Sequence, residues 1–242
     1  MRVKAVIEYD GSKFDGFQIQ KNTKNTIVGK LTDALKTLGI ESKIVGSGRT
    51  DKGVHATFQV VHFDLPTFWE KKSLSELKSK LNKKLLYIRV KYLKKVSPSF
   101  HAQYSAKVRV YRYLIKTTPL RVFERDYITY YKIDNLELIK EGLKLFEGEH
   151  NFKFFKKEGS FTKNDIRKIY KTKLVSQKDY IAIYLFANGY LRGQVRLIIT
   201  ALFALDKGKI TLTELKEQID AKRRYITKPA PPNGLYLNRV FY

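Results

Sequence analysis

The residues whose types and spacing can do chemistry lie in one glycine-rich string, Gly46-Ser47-Gly48-Arg49-Thr50-Asp51-Lys52-Gly53-Val54-His55-Ala56. A carboxylate follows an arginine at a spacing of two in a chain of formal net charge +25. Asp51 has two readings. As a turn residue it bonds backbone amides beside the glycines. As a nucleophile or general base it must be ionised, and Arg49, or an arginine from elsewhere in the chain, would hold it so. Arg49 in turn is either a plain surface cation or a wedge that takes the place of an extruded base. Gly46, Gly48 and Gly53 let the backbone turn tightly and approach a ligand. No Gly-Lys-Ser/Thr end follows, and the string runs into a strand-like segment, so it is not a phosphate-binding P-loop. On these residues alone, both readings of Asp51 stay open.

Composition narrows the chemistry. Lysine and arginine number 48 against 23 aspartates and glutamates, for a pI of about 9.9. Such an excess points to a polyanionic partner bound through phosphate neutralisation. With 43% apolar residues in 242, the chain can bury a substantial core and is not a disordered basic tail. Cysteine is absent, which excludes disulfides, thiolate metal sites and a cysteine nucleophile. The histidines, His55, His62, His101 and His150, are scattered with no His-x₃-His pair, so no metal and no cofactor is expected. No run of about 18 apolar residues suggests a membrane span. Met1 to Ile7 enters a strand-like pattern with no signal-peptide core or cleavage site, so a cytoplasmic location is expected.

The elements that must position Asp51 show in the periodicity. Alternation predicts strands over Val3 to Tyr9, Phe58 to Asp64, Ile88 to Val96 and Val108 to Lys116. It recurs over Ile169 to Val175, Tyr180 to Ala187 and Leu235 to Tyr242. Helical spacing links Ile27, Leu31, Leu35 and Leu38, with Gly39 as the stop. Capping boxes predict three more helices: Ser73 with Glu76, Asp134 with Glu137, and Thr211 with Glu214. The second of these should end at Gly148. Strands alternating with helices imply an α/β or α+β fold with one-sided sheets. The polar stretch from Lys94 to Ala106, broken by Pro98, is the expected boundary, giving halves 1–104 and 105–242. Residues 156–164 read as a basic surface loop, either a solvated connection or an RNA contact.

The string around Asp51 resembles the catalytic loop of TruA-type tRNA pseudouridine synthases, and the resemblance runs the length of the chain. Tyr9-Asp10-Gly11-Ser12-Lys13-Phe14-Asp15-Gly16-Phe17-Gln18 is similar to the first family motif, with Phe17 where tryptophan is usual. Gln59-Val60-Val61-His62-Phe63 follows the loop. Phe100-His101-Ala102-Gln103-Tyr104-Ser105-Ala106 leads into Tyr111-Arg112-Tyr113. Gly148-Glu149-His150-Asn151-Phe152, Ala187-Asn188-Gly189-Tyr190-Leu191 before Val195-Arg196, and Gly234-Leu235-Tyr236-Leu237 complete the order.

The resemblance implies two similar α/β halves with mainly antiparallel sheets, and an isomerase that converts uridine to pseudouridine without metal or cofactor. It implies tRNA as partner, the uridines at positions 38, 39 and 40 of the anticodon stem-loop as targets, and a homodimer. It assigns Asp51 as the catalytic carboxylate, Tyr111 as the ring stacked on the flipped base, and Arg196 as the partner of Asp51. Leu235 becomes the apolar wall under the uracil, and Arg49 holds the base out. Three departures stand out: Arg192-Gly193-Gln194 before Val195-Arg196, Lys52 where alanine is common, and the segment from Leu81 to Ile88, which lacks the usual Pro-Asp. Two rivals remain, a non-catalytic RNA-binding or ribosomal protein and a pseudouridine synthase acting on another RNA.

Overall fold

A computed structural model describes residues 1–159 and 162–242, and it divides the chain into two compact units. One is Met1–Lys107 with Tyr236–Tyr242; the other is Val108–Leu235. In chain order the first carries β1 (Arg2–Tyr9), α1 (Ile27–Lys36), β2 (Val45–Gly46), β3 (His55–Asp64), α2 (Leu74–Lys84) and β4 (Ile88–Lys95). Then come β5 (Val108–Lys116), β6 (Thr129–Tyr130), α3 (Leu136–Lys144), β7 (Gly148–Asn151), β8 (Ile166–Gln177) and β9 (Tyr180–Ala187). The chain ends with α4 (Gln194–Asp206), α5 (Leu212–Ile219) and β10 (Leu235–Phe241). The class is mixed α/β with mostly antiparallel strands, as the periodicity predicts. Among the described residues no helix is long and apolar enough to cross a membrane.

In the first unit the strand order is β4-β1-β3-β10, with β2 also on β3. Alternation places Val3, Ala5 and Ile7 on the buried face of β1, all at most 1% exposed. The apolar stripes of the two helices, Ile27, Leu31 and Leu35 on α1 and Leu77 and Leu81 on α2, are buried too. Strand β3 starts at His55, earlier than its alternation from Phe58 shows, because His55 and Ala56 pair in parallel with Tyr236 and Leu237 of β10.

In the second unit the order is β5-β9-β8-β7, every neighbour antiparallel, with β6 parallel to β5. Helix α4 is buried along nearly its whole length, including Leu197, Ile198, Ile199 and Ala201 at 0% exposure. Gly142 lets α3 approach it, since a Cβ there would lie 2.4 Å from Leu205 Cδ2.

Two of the three predicted capping boxes are corrected. Thr211 and Glu214 form theirs as expected. Ser73 caps α2 through the Ser75 amide, whereas Glu76 turns outward to Lys80 at 2.7 Å. Helix α3 is capped by Asn135, which accepts from Leu138 N–H, and Asp134 instead pairs with Lys207. That helix stops at Lys144, and Gly148 (φ 112°) opens β7. In the predicted basic loop 156–164, Lys156 is tied to Asp165 at 2.7 Å, and Ser160 and Phe161 lie outside the described residues.

Glu124 anchors the turn after β5. Its carboxylate accepts from Lys116 Nζ at 2.8 and 3.0 Å, from Arg121 N–H at 2.8 Å and from the Tyr180 hydroxyl at 2.8 Å. These donors, Lys116 first, pull its pKa from 4.5 to about 2. The folded chain therefore resists the proton that the unfolded chain accepts, and this stabilisation, complete above pH 4.5, is lost as the pH falls toward 2. Glu124→Gln should lower the thermal midpoint at neutral pH. The gap from wild type should narrow steadily below pH 4.5, as melts across a pH series will show.

Candidate active site

The loop carrying Asp51 is held from beneath by β3. Gln59 is 0% exposed. Its Oε1 accepts from Ser47 Oγ at 2.6 Å and Val60 N–H at 3.1 Å, while its Nε2 donates to the Gly48 carbonyl at 2.8 Å. Ser47 N–H closes the base by donating to the Val60 carbonyl at 2.8 Å. Gly46 is required by packing: a Cβ there would lie 2.4 Å from the buried ring of Phe17.

Beside Asp51 the backbone is tied to the first motif. Phe17 N–H donates to the Thr50 carbonyl at 3.0 Å, and the Tyr9 hydroxyl meets Thr50 Oγ1 at 2.8 Å. Burial pushes the Tyr9 phenol up to about 12, so it stays protonated and holds that bond. Val54 N–H donates to the Asp51 carbonyl at 3.2 Å, and Gly53, at φ 77°, makes that turn possible. Asp51 is half-buried and Arg49 exposed. Lys52 bridges to Asp15 at 2.8 Å and depresses the Asp15 carboxyl, so the extra cation beside Asp51 is already matched. His55, 2% exposed, stacks on Tyr236 at 4.7 Å and accepts the Gly11 N–H on Nδ1 at 3.0 Å.

The second unit positions Tyr111, Arg196 and Leu235. Tyr111 is 8% exposed on β5, with its ring edge-on to Tyr190 at 5.1 Å. Arg196 lies in the first turn of α4. Its Nε donates to the Ala230 carbonyl at 2.5 Å, and Ala230 N–H returns to the Arg196 carbonyl at 3.1 Å. The guanidinium is thereby held at Nε by a backbone carbonyl, and the same residue is tied to the Arg196 backbone. Leu235, 5% exposed, follows Gly234, whose carbonyl accepts from Leu114 N–H of β5 at 2.8 Å. A Cβ at Gly234 would come within 2.7 Å of the Leu114 carbonyl, so only glycine permits this approach.

The Arg192-Gly193-Gln194 departure begins α4. Gly193 takes the left-handed conformation (φ 73°), and buried Gln194 accepts the Leu191 N–H at 2.7 Å. The structure thus puts Arg49 and Asp51 on one loop of the first unit and Tyr111, Arg196 and Leu235 on neighbouring elements of the second. The sequence reading did not single out Tyr9, Gln59, Tyr190 or Ala230 as supports. A polar residue at an inward position of an alternating strand was the available signal for Gln59.

The family model for tRNA pseudouridine synthase matches residues 5–105 and 143–242. The chain belongs to the tRNA pseudouridine synthase family. Arg49 and Asp51 fall in the first matched segment, Arg196 and Leu235 in the second, and Tyr111 in neither. A tRNA pseudouridine synthase A of Helicobacter hepaticus is 42% identical over 99% of this chain and 98% of its own length. One of Wolinella succinogenes is 42% identical over 98% and 93%, and one of Campylobacter jejuni 36% identical over all of both.

In this enzyme Tyr9→Phe removes one hydroxyl beneath the loop, worth about 1 kcal/mol. Gln59→Leu strands several buried groups, at about 1–3 kcal/mol each. Melting curves should show a small loss for Tyr9→Phe and a large one for Gln59→Leu. Turnover should fall in both, because Thr50 and Gly48 flank the carboxylate.

Proposed function

We propose that this enzyme converts uridine to pseudouridine at positions 38, 39 and 40 of the tRNA anticodon stem-loop, with Asp51 as the catalytic carboxylate. The observation that carries the reading is the family match through both segments, the first containing Asp51 in its tethered loop. The target uridine is extruded from the stack, at a cost of a few kcal/mol that phosphate contacts to a chain of net charge +25 offset.

The ribose C1′ to uracil N1 bond then breaks. Asp51 either attacks C1′ or takes the 2′ proton to leave a glycal. The detached base turns, the C5 to C1′ bond forms, and the proton on C5 leaves to restore the aromatic ring while N1 gains one. Tyr111 stacks on the base and assists proton transfer at C5. Arg196, oriented by Ala230, pairs with Asp51, a role that suits the planar fork of arginine. Leu235 lies under the uracil, and Arg49 holds the vacated place in the stack. The step needs no metal or cofactor. The enzyme works as a homodimer in the cytoplasm, recognising its substrate chiefly by shape and backbone.

Asp51→Asn separates catalysis from binding. It should abolish pseudouridine formation while tRNA affinity is kept or strengthened, because a negative charge facing a polyanion is removed. Tritium release from [5-³H]uridine-labelled tRNA and a binding titration read the two separately. Retained turnover would reject Asp51 as the catalytic group. Mapping pseudouridine in RNA from a deletion strain tests the positions, and loss at sites outside the anticodon arm would assign another RNA.

A further inference from the structure

The motif from Phe100 to Ala106 takes no part in the carboxylate chemistry, yet the first unit holds it rigidly. His101 Nδ1 accepts the backbone N–H groups of Gln103 at 3.3 Å and Tyr104 at 3.2 Å. Ser105 closes the turn twice, donating its N–H to the His101 carbonyl at 2.9 Å and accepting the His101 N–H on Oγ at 3.1 Å. Ala102 N–H donates to Nδ1 of buried His62 at 3.1 Å, and the Tyr242 hydroxyl donates to the Ala102 carbonyl at 2.8 Å.

This lattice of hydrogen bonds presents one ring. Tyr104 lies flat on His101 with centroids 4.3 Å apart and planes 22° apart, and His101 meets His62 edge-on at 5.0 Å. Tyr104 is nevertheless 79% exposed. One face is stacked, and the ring is braced by a turn whose backbone polar groups are largely answered. Cations adjoin it. Lys4 faces His62 on β3 and Lys94 on β4 in register, so the three form a row on one sheet face. Lys4 Nζ lies 5.7 Å from the centroid of Phe100 and 5.3 Å from that of Tyr242. Lys94 and Lys107 are exposed.

We propose that Tyr104, backed by His101, is a stacking platform for an unpaired base of the tRNA substrate, with Lys4 and Lys94 meeting the adjoining phosphates. The inference rests on the reading of tRNA as substrate. A pre-stacked aromatic ring on a face that also carries lysines suits a base with its phosphate, because every base offers a π-face and the phosphate supplies the opposite charge. A second copy of the chain would bring like charges together at this face, which opposes docking.

Wild type, Tyr104→Ala, Tyr104→Phe and Lys94→Ala are titrated with unmodified tRNA transcript over a range of salt, and turnover is followed on the same transcript. Tyr104→Ala should raise Kd and KM about tenfold with kcat within about twofold, and Tyr104→Phe should stay within about twofold of wild type throughout. A stacking contact releases no counterions, so the salt slope of Tyr104→Ala should match wild type, whereas that of Lys94→Ala should be shallower by about one. Because Tyr104 is exposed, unchanged melting is expected. Unaltered binding by Tyr104→Ala, or a change in its sedimentation, overturns the platform. A wild-type enzyme that forms no pseudouridine in tRNA overturns the substrate reading itself, and the proposal with it.

Discussion

A loop that must keep a carboxylate in place while a polyanion binds needs its own backbone polar groups answered from below. In the first unit one strand does this for three separate segments. Strand β3 carries three buried polar side chains, His55, Gln59 and His62, at 2%, 0% and 4% exposure. His55 accepts the Gly11 N–H, Gln59 ties Ser47 and Gly48, and His62 accepts the Ala102 N–H. Gln59 pairs with Ile7 and His62 with Lys4 on β1, so these two point to opposite faces, while a bulge between Ala56 and Gln59 interrupts the alternation toward His55. The Asp51 loop therefore hangs from one side through Gln59, and the Phe100 motif from the other through His62. A buried imidazole can accept only while neutral. For His62, burial and the nearby Arg2 and His101 push the pKa down and favour that form.

The second unit solves a different problem, which is how to aim long side chains. Tyr111 is restrained by the edge of half-buried Tyr190, whose hydroxyl reaches the Arg109 carbonyl at 3.4 Å. Arg196 is restrained at one nitrogen by the Ala230 carbonyl, and its backbone carbonyl accepts both Ala230 N–H and Thr200 Oγ1. These are backbone anchors, indifferent to what side chain occupies position 230. They depend instead on α4 being immobile, and its burial among Leu197, Ile198, Ala201 and Leu202 supplies that.

Much of this was legible in the residues. Strand β5 begins and ends where alternation placed it, and the Thr211 capping box forms as predicted, because each signal is local. What escaped was set by tertiary context. Helix α4 lacks a starting signal, since Gly193 caps it by backbone conformation without a side chain, and burial on all sides erases the polar stripe that marks a surface helix. The start of β3 depended on β10, a partner far along the chain. Asn135 displaced Asp134 as a cap because buried Asp206 takes the Asp134 and Asn135 amides, leaving the Asn135 side chain to face Leu138. For the site, composition left Asp51 as the leading candidate, and only an extended motif favours that reading over a turn aspartate. The supports Gln59 and Tyr190 stood inside quoted motifs, yet nothing in their spacing says which backbone groups they answer.

The distribution of charge explains how a carboxylate can coexist with so basic a surface. Several of the 23 acidic residues are spent in local pairs: Asp15 with Lys52, Asp64 with Arg2, Glu124 with Lys116, Asp165 with Lys156. Each such pair neutralises a lysine or arginine at a turn or strand end, where an unmatched cation would otherwise repel its neighbours. The remaining cations keep a long-range field that draws in RNA and is screened within about 8–10 Å at physiological salt. Recognition at shorter range therefore has to come from shape and from rings. A single fixed ring adds affinity that salt does not erase, and the rigid turn beneath Tyr104 is the kind of support that such a contact requires.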